Sequence, residues 1–385
     1  MKWSRARVLT THAGSLPRPA DLLALMQRAP REDAVYATRV RDAVGEAVRR
    51  QAETGLDVVT DGEMSKPSFI TYVTDRLTGF EPSREAGALP WAESREVAAF
   101  PEFYEPSLRQ SPNAAAPRFC CTGPVSYRGH AQVQRDIDNL RAALAGLTVE
   151  EAFIPAIAPS NVEGRQANLY YKNDEDYLFA IAEAMREEYM AIVDAGFVLQ
   201  IDDPRLVTYY ILRRDSTVEA CRRWAAVRVE ALNHALRDIP RERVRFHTCY
   251  SINMGPRVHD MALKDVVDLI LRVRAGAYSF EAANPRHEHE WRVWRDVKLP
   301  DDTLLIPGVI TQSTVLVEHP ELVAERIVRF ASIVGRERVI AGADCGFASF
   351  AGSTEIHPSI VWAKLAALVD GARLATKQLG YPSTG

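Results

Sequence analysis

Eight short apolar runs, most of them ending in polar residues, are spaced along the chain with helix-length amphipathic stretches between them. They are LDVVTDGE (56–63), RFCCTGPV (118–125), FIPAIAPS (153–160), FVLQIDDP (197–204), RVRFHTCYS (243–251), AYSFEAANP (277–285), LLIPGVI (304–310) and RVIAGADCG (338–346). A continuous aliphatic or aromatic run that breaks into Gly, Pro or polar residues is the pattern of a parallel strand buried on both faces and leading into a loop. The stretches between them carry helical spacing. In residues 173–195, Leu178, Ile181, Met185, Tyr189 and Ile192 fall on one face, and Gly196 follows as a stop. Residues 318–335 behave in the same way. Alternating strands and helices predict an α/β protein, a single (β/α)8 TIM barrel over residues 1–385. The alternative, a doubly wound open sheet, would place a Gly-rich phosphate loop after a strand, and no run is followed by one. The segment TTHAGSLPRP precedes the eight runs and is expected as an N-terminal extension crossing one end of the barrel. Residues 81–117, rich in Pro, Ala and Glu, are expected as a long loop or insertion.

Composition narrows the function. A formal net charge of −4 gives no electrostatic case for nucleic acid. No apolar run approaches the roughly 20 residues of a membrane helix. The start, MKWSRARVLTTHAGS, lacks the apolar core of a signal peptide. A cytoplasmic protein is therefore expected. Cys120, Cys121, Cys221, Cys249 and Cys345 are odd in number and sparse, so no disulfide framework is expected. Burial as small hydrophobes accounts for Cys120, Cys121 and Cys221.

In a barrel the C-terminal strand ends carry the active site. Here they supply Asp61 and Glu63, Thr122 and Gly123, Ser160 and Asn161, and Asp202 and Asp203, followed by His247 and Cys249, Glu281 and Asn284, Gln312 and Ser313, and Asp344 and Cys345. His247 and Cys249, two apart on a strand, point to one face. Together with Glu281 and Cys345 they offer one nitrogen, two sulfur and one oxygen donor, a set that suits tetrahedral zinc and not magnesium or calcium. A Cys–His nucleophile dyad is the competing chemistry, but it needs no second Cys and would expect an oxyanion site. Burial of His247 and Cys249 on a core strand is the non-functional alternative. The histidines of PRHEHEW (285–291) read as solvated or supporting groups. The carboxylates of DGE and IDDP read equally as helix caps, ion-pair partners or substrate contacts.

In register along nearly the whole chain, these strand ends resemble the catalytic barrel of cobalamin-independent methionine synthase. THAGSLPRP is similar to that family's IGSFP segment, DGE to its HGE, CTGPVSY to its TGPVT, and LQIDDPRL to its QIDEPAL. HTCYS resembles its HxCY, SFEAANP its IETS strand, and ADCG its PDCG. The resemblance implies that His247, Cys249, Glu281 and Cys345 bind zinc, with Glu281 the weakest ligand. It also implies that Ser15 meets the carboxylate of homocysteine, and that Glu63 and Asp202 meet its ammonium. The chain departs from the family twice. The large N-terminal domain is missing, and in GVITQST the family's proton-donating His is matched by Gln312, for which His319 is no substitute. An amide cannot protonate a leaving nitrogen as imidazolium can.

The implied activity is zinc-dependent transfer of a methyl or alkyl group to a small-molecule thiol, homocysteine first. Zinc would hold as thiolate a thiol that is mostly protonated at neutral pH when free. A small-molecule alkyl donor and delivery of the methyl group by a corrinoid protein both stay open. An epoxide:thiol transferase or carbon–sulfur lyase in the same barrel is the alternative enzyme, and a zinc-binding partner module is the alternative outside catalysis.

Overall fold

Eight parallel strands follow one another around one sheet in the computed structural model, which describes residues 1–28, 33–83, 91–110, 118–353 and 355–382. They are β1 (Leu9–Thr10), β2 (Val58–Thr60), β3 (Glu151–Ile157), β4 (Val198–Asp202), β5 (Val244–Thr248), β6 (Ala277–Phe280), β7 (Leu304–Ile310) and β8 (Ile340–Ala343). Their spatial order is β1-β8-β7-β6-β5-β4-β3-β2. Helices lie between consecutive strands, so the (β/α)8 barrel is as expected.

Two assignments are corrected. The run RFCCTGPV does not enter the barrel. Phe119–Cys121 pairs antiparallel with Phe80–Pro82 and parallel with Ala167–Asn168 in a small separate sheet. There is no slot for it between its chain neighbours, because β2 pairs directly with β3 from Val58↔Glu151 onward. Thr122 and Gly123 therefore sit away from the strand ends, with Thr122 N–H donating to Gly79 O (2.9 Å). The eighth strand is β1, just ahead of TTHAGSLPRP. That segment is not an added one but the loop at the C-terminal end of the first barrel strand. The other end is crossed instead by the first residues, where Met1 packs against two apolar clusters, Leu9–Ala277–Leu304–Ile306–Ile340 and Val58–Phe153–Val198.

Within 81–117, the described residues 91–110 are not a plain loop. They include helices Arg95–Ala99 and Pro101–Gln110, the first begun by Ser94, whose Oγ accepts from Val97 N–H. Residues 84–90 and 111–117 of this stretch lie outside the described residues.

The helices form for local reasons. Asn173 caps helix Asp174–Asp194 by accepting from Asp176 N–H, and three acids in its first turn complement the helix dipole. Leu178, Ile181, Met185, Tyr189 and Ile192 are all fully buried, each side chain contributing about 1.5–3 kcal/mol. Gly196 follows at φ +93°, where a side chain would be strained.

Among the described residues no ladder joins β1 to β2. The seam is closed by Asp57, whose Oδ2 accepts from both Thr10 N–H (2.8 Å) and Thr10 Oγ1 (2.9 Å). Asp57 N–H donates to Thr10 O (3.2 Å) and Thr11 Oγ1 donates to Val58 O (3.1 Å). Removing this carboxylate would orphan buried donors at Thr10 and leave Arg7 with Glu150 alone. Asp57→Ala is expected to destabilise the fold by about 2–4 kcal/mol, read as a lower urea midpoint. A shift below about 0.5 kcal/mol would show that the seam closes without it.

Candidate metal centre

The two-residue period of a strand places side chains of one parity on the inside of the barrel. Read upward, that inner row changes from apolar to polar: Val198, Gln200, Asp202 on β4; Arg245, His247, Cys249 on and beyond β5; Ala277, Ser279, Glu281 on and beyond β6. The lower residues fill the barrel and the upper ones form its mouth. Register sets Asp202 beside His247 and His247 beside Ser279.

His247, Cys249 and Cys345 converge there, with one ligand atom from each lying within 4.8 Å of the others. They are the one such group among the described residues. The Cys345 thiol donates to Cys249 Sγ at 3.3 Å. Cys249 is thereby held well below the ordinary thiol range, first by this bond from Cys345 and, against burial, by His247. Cys345 is pushed well above that range by the Cys249 sulfur and by burial. The pair thus gives up one proton readily and the second with difficulty until a cation arrives. His247 Nδ1 lies 3.2 Å from Ser279 Oγ, which fixes the ring and leaves Nε2 outside that bond.

Glu281, the fourth residue expected at the metal, stands outside the cluster. Its carboxylate accepts from Ile252 N–H (3.4 Å) and Asn284 Nδ2 (3.0 Å). Burial, the Cys249 sulfur and Asp344 push its pKa well up. Asp344 Oδ1 accepts from the N–H groups of Ala282 and Ala283 (2.7 and 2.8 Å), which fixes the turn bearing Glu281. That carboxylate fits because residue 308 is glycine; a Cβ there would lie 2.0 Å from Asp344 Oδ1.

The expected substrate contacts lie across the mouth, at the ends of β1, β2 and β4. Ser15 packs against the turn after Cys345; a Cβ on Gly346 would come within 2.1 Å of Ser15 Oγ. Glu63 is buried and has φ +58°; its Oε2 has no hydrogen-bond partner, and the nearest cation, Arg18 Nη2, is 3.9 Å away. A strained backbone and an unsatisfied buried acceptor on one residue mark a functional position. Asp202 is raised to about 7 by burial, with Glu63 adding to the shift. The remaining carboxylates of DGE and IDDP are structural. Asp61 Oδ1 accepts from Glu63 N–H (2.9 Å), and Asp203 Oδ1 accepts from Ser160 Oγ (2.7 Å), Asn161 Nδ2 (2.9 Å) and Leu206 N–H (3.2 Å).

Gln312 is buried, with Nε2 donating to Ile252 O (2.6 Å) and Oε1 unpartnered. His319 caps helix Pro320–Val334 through Glu321 N–H. Of the PRHEHEW histidines, His289 is exposed, while His287 is buried and stacks on Tyr250 with ring centroids 3.8 Å apart.

Four buried residues that support the site were not singled out from the sequence. Arg18 donates to the carbonyls of Leu16, Glu63, Lys66 and Ala348, tying together the turns after β1, β2 and β8. Gln200 Nε2 donates to Ala13 O and to Asp202 Oδ1, both at 2.7 Å. Arg245 donates to Thr11 Oγ1 and His12 O, both at 3.0 Å. Lys66 donates to Pro155 O and lies 4.4 Å over the Tyr72 ring. An Arg two residues before His247, inside an apolar run, was the available signal for Arg245.

The donor set fits zinc. Two sulfurs and an imidazole converge in a mouth where the buried carboxyls of Asp61, Glu63, Asp202, Glu281 and Asp344 are all raised, burial being the first cause of each.

A family model for the cobalamin-independent synthase catalytic domain matches residues 8–116 and 166–370. A methionine synthase of Thermococcus kodakarensis is 25% identical over 382 residues, covering 96% of this chain and 94% of that one. One from Saccharolobus solfataricus is 25% identical over 379 residues, with 96% and 95% covered. Among solved structures, a B12-independent methionine synthase from Shewanella sp. W3-18-1 in complex with selenomethionine superposes with a TM-score of 0.72 at 20% identity, covering 97% of this chain and 99% of that one. A putative vitamin-B12-independent methionine synthase from Listeria monocytogenes gives 0.66 at 19% identity, with 96% and 98% covered.

One consequence of the surrounding polar shell can be measured through pH. Burial acts to lower the His287 pKa, but the Asp260 carboxylate 3.5 Å from Nε2 and the Glu290 carboxylate 2.8 Å from Nδ1 outweigh it and raise the ring to about 9. A raised histidine contributes stability that is complete below its ordinary value near 6.5 and is lost as pH rises through about 9. The wild type is expected to exceed His287→Gln by about 3 kcal/mol more at pH 6 than at pH 10, measured by urea unfolding. An equal difference at both values would contradict the charged ring.

Proposed function

This chain belongs to the cobalamin-independent methionine synthase family, and on that premise we propose that it transfers a methyl group to the thiol of homocysteine at a zinc ion held by His247, Cys249 and Cys345. The convergence of those three side chains opposite the unsatisfied Glu63 carboxylate carries the reading. When bound, zinc would supply the charge that keeps a substrate thiol deprotonated at neutral pH. Glu63 and Asp202 receive the substrate ammonium, which relieves two buried carboxylates at once. Ser15 receives its carboxylate. Gln200 and Arg245 hold the main chain of residues 11–13 beneath this half of the mouth, so that Ser15 and Asp202 keep their spacing. Ser279 holds the His247 ring, and Asp344 holds the turn bearing Glu281, which would be the weakest member of the implied ligand set.

Among the described residues no helix is long and apolar enough to cross a membrane. Free thiols at the centre suit a reducing compartment, and we place the reaction in the cytoplasm.

Gln312 is the observation that favours a second reading. Its amide nitrogen is committed to Ile252 O, so it supplies no acidic proton to a leaving group. A thiol adding to an epoxide, or cleavage of the resulting thioether, is therefore the alternative. A product screen of homocysteine with methyltetrahydrofolate, a methyl-corrinoid and a small epoxide separates the readings, and it also identifies the methyl carrier.

Cys249→Ser and Cys345→Ser are each expected to lose zinc and turnover together, measured as metal per chain beside methionine formation. Either variant with full zinc and full rate would refute the assignment. In the zinc-loaded wild type, zinc-edge X-ray absorption is expected to gain one sulfur neighbour when homocysteine is added. Asp202→Asn is expected to keep zinc and to raise the KM for homocysteine about 10- to 100-fold, the loss of one charged hydrogen bond of about 1.5–3 kcal/mol. An unchanged KM would remove Asp202 from the ammonium site.

A further inference from the structure

Ser15, Glu63 and Asp202 occupy the β1, β2 and β4 side of the mouth, so a carbon that reaches the sulfurs must enter over β5–β7. That side is bordered by residues 251–259, which leave β5 just after Cys249. They turn at Ser251, with φ +54°, and pass over the ends of the next two strands. Ile252 N–H donates to Glu281 Oε1 (3.4 Å), and Ile252 O accepts from Gln312 Nε2 (2.6 Å). Cys345 is partly exposed while His247 and Cys249 are buried, so the opening leads to the Cys345 side of the cluster.

The outer side of this loop is covered by residues 91–104, which arrive from between β2 and β3. Glu96, fully buried, is the main tie. Its Oε1 accepts from Val258 N–H (2.9 Å) and His259 N–H (2.7 Å), and its Oε2 lies 3.2 Å from His259 Nδ1. Tyr104 donates to Pro256 O (2.6 Å), and Arg257 lies 4.4 Å over the Trp91 ring while donating to Ser251 O (2.6 Å). The covering segment is itself fixed on the C-terminal end of helix Arg205–Leu212 and the turn that follows it, where Arg95 donates to the carbonyls of Tyr210, Arg213 and Ser216. At residues 258 and 259 the loop's N–H groups have neither helix nor ladder, and the Glu96 carboxylate supplies their acceptors. The loop is thus held between Glu96 outside and Glu281 and Gln312 inside.

We propose that Glu96 is a positioning residue which, through residues 251–259, sets the width of the opening over β5–β7 and so the size of the electrophile admitted to the thiol. This rests on the proposed thiol-alkylating function in taking that opening as the electrophile's route.

The test uses zinc-loaded wild type, Glu96→Gln and Glu96→Ala with homocysteine and two electrophiles of different bulk, methyl iodide and benzyl bromide. In both reactions the thiolate sulfur supplies the electron pair of the new C–S bond, and halide leaves with the pair of the broken one. Rates are divided by those of free homocysteine. The wild type is expected to favour the methyl over the benzyl group. Glu96→Ala is expected to lower that preference at least tenfold, with zinc content and homocysteine affinity unchanged within twofold. Glu96→Gln is expected to retain it, because its Oε1 accepts from both N–H groups and its Nε2 donates to His259 Nδ1. An unchanged preference in Glu96→Ala overturns the proposal. Loss of zinc from that variant also overturns it, since Glu96 would then support the metal centre and not the opening. If the wild type takes up no homocysteine, the thiol reading fails separately. The size preference is then read on Cys249 and Cys345 of the metal-free chain, where the same tenfold change is expected and its absence is again decisive.

Discussion

The mouth of this barrel depends on the seam between β1 and β2, where one carboxylate stands in for a ladder. Asp57 binds the N–H and the hydroxyl of Thr10, so β1 is fixed to β2 on one side while it pairs with β8 on the other. Closure brings the turns after β1, β2 and β8 within reach of a single guanidinium, that of Arg18, which joins four of their carbonyls. Ser15 meets Gly346 through the β1–β8 ladder, and the seam adds the turn bearing Glu63 to the same group.

The inner face shows why the chemistry sits at one end. A strand side chain must point in or out, so the inward positions of a closed barrel have to be filled or satisfied. At the lower end they are filled by aliphatic side chains and Phe153, with Met1 beneath them. At the upper end they are acids, thiols and an imidazole, with buried cations of the chain itself, Arg18, Lys66 and Arg245, among them. Arg245 and Gln200 lie at the boundary, where they turn a polar layer into a support for residues 11–13.

Much of this was legible in the sequence because burial on both faces makes parallel strands read as apolar runs. The convergence of three side chains was legible because His247 and Cys249 share one parity and Cys345 ends another run. What escaped has specific causes. β1 is two residues long and carries no period of its own; its place in the barrel comes from pairing with β8. RFCC is as apolar as a barrel strand, and pattern alone does not say which sheet a buried strand joins. Arg245 and Gln200 looked like interruptions of strands because a polar group on an inner face is explained only by what lies across the barrel. Glu281 shares the strand-end position of the cluster residues, and its contact with Ile252, on another loop, leaves no mark in the local sequence. The Pro-rich composition of residues 81–117 concealed two short helices, although Ser94 ahead of Arg-Glu-Val was a cap signal.

The division of the mouth has an evolutionary side. The contacts proposed for the amino-acid thiol come from the ends of β1, β2 and β4, whereas the opposite border is a loop fastened from outside by a segment inserted between β2 and β3. Substitutions or length changes in that segment alter the second border without touching the first. A lineage carrying this architecture can therefore exchange one electrophile for another by editing a surface insertion, while the ancestral grip on sulfur and ammonium is inherited intact.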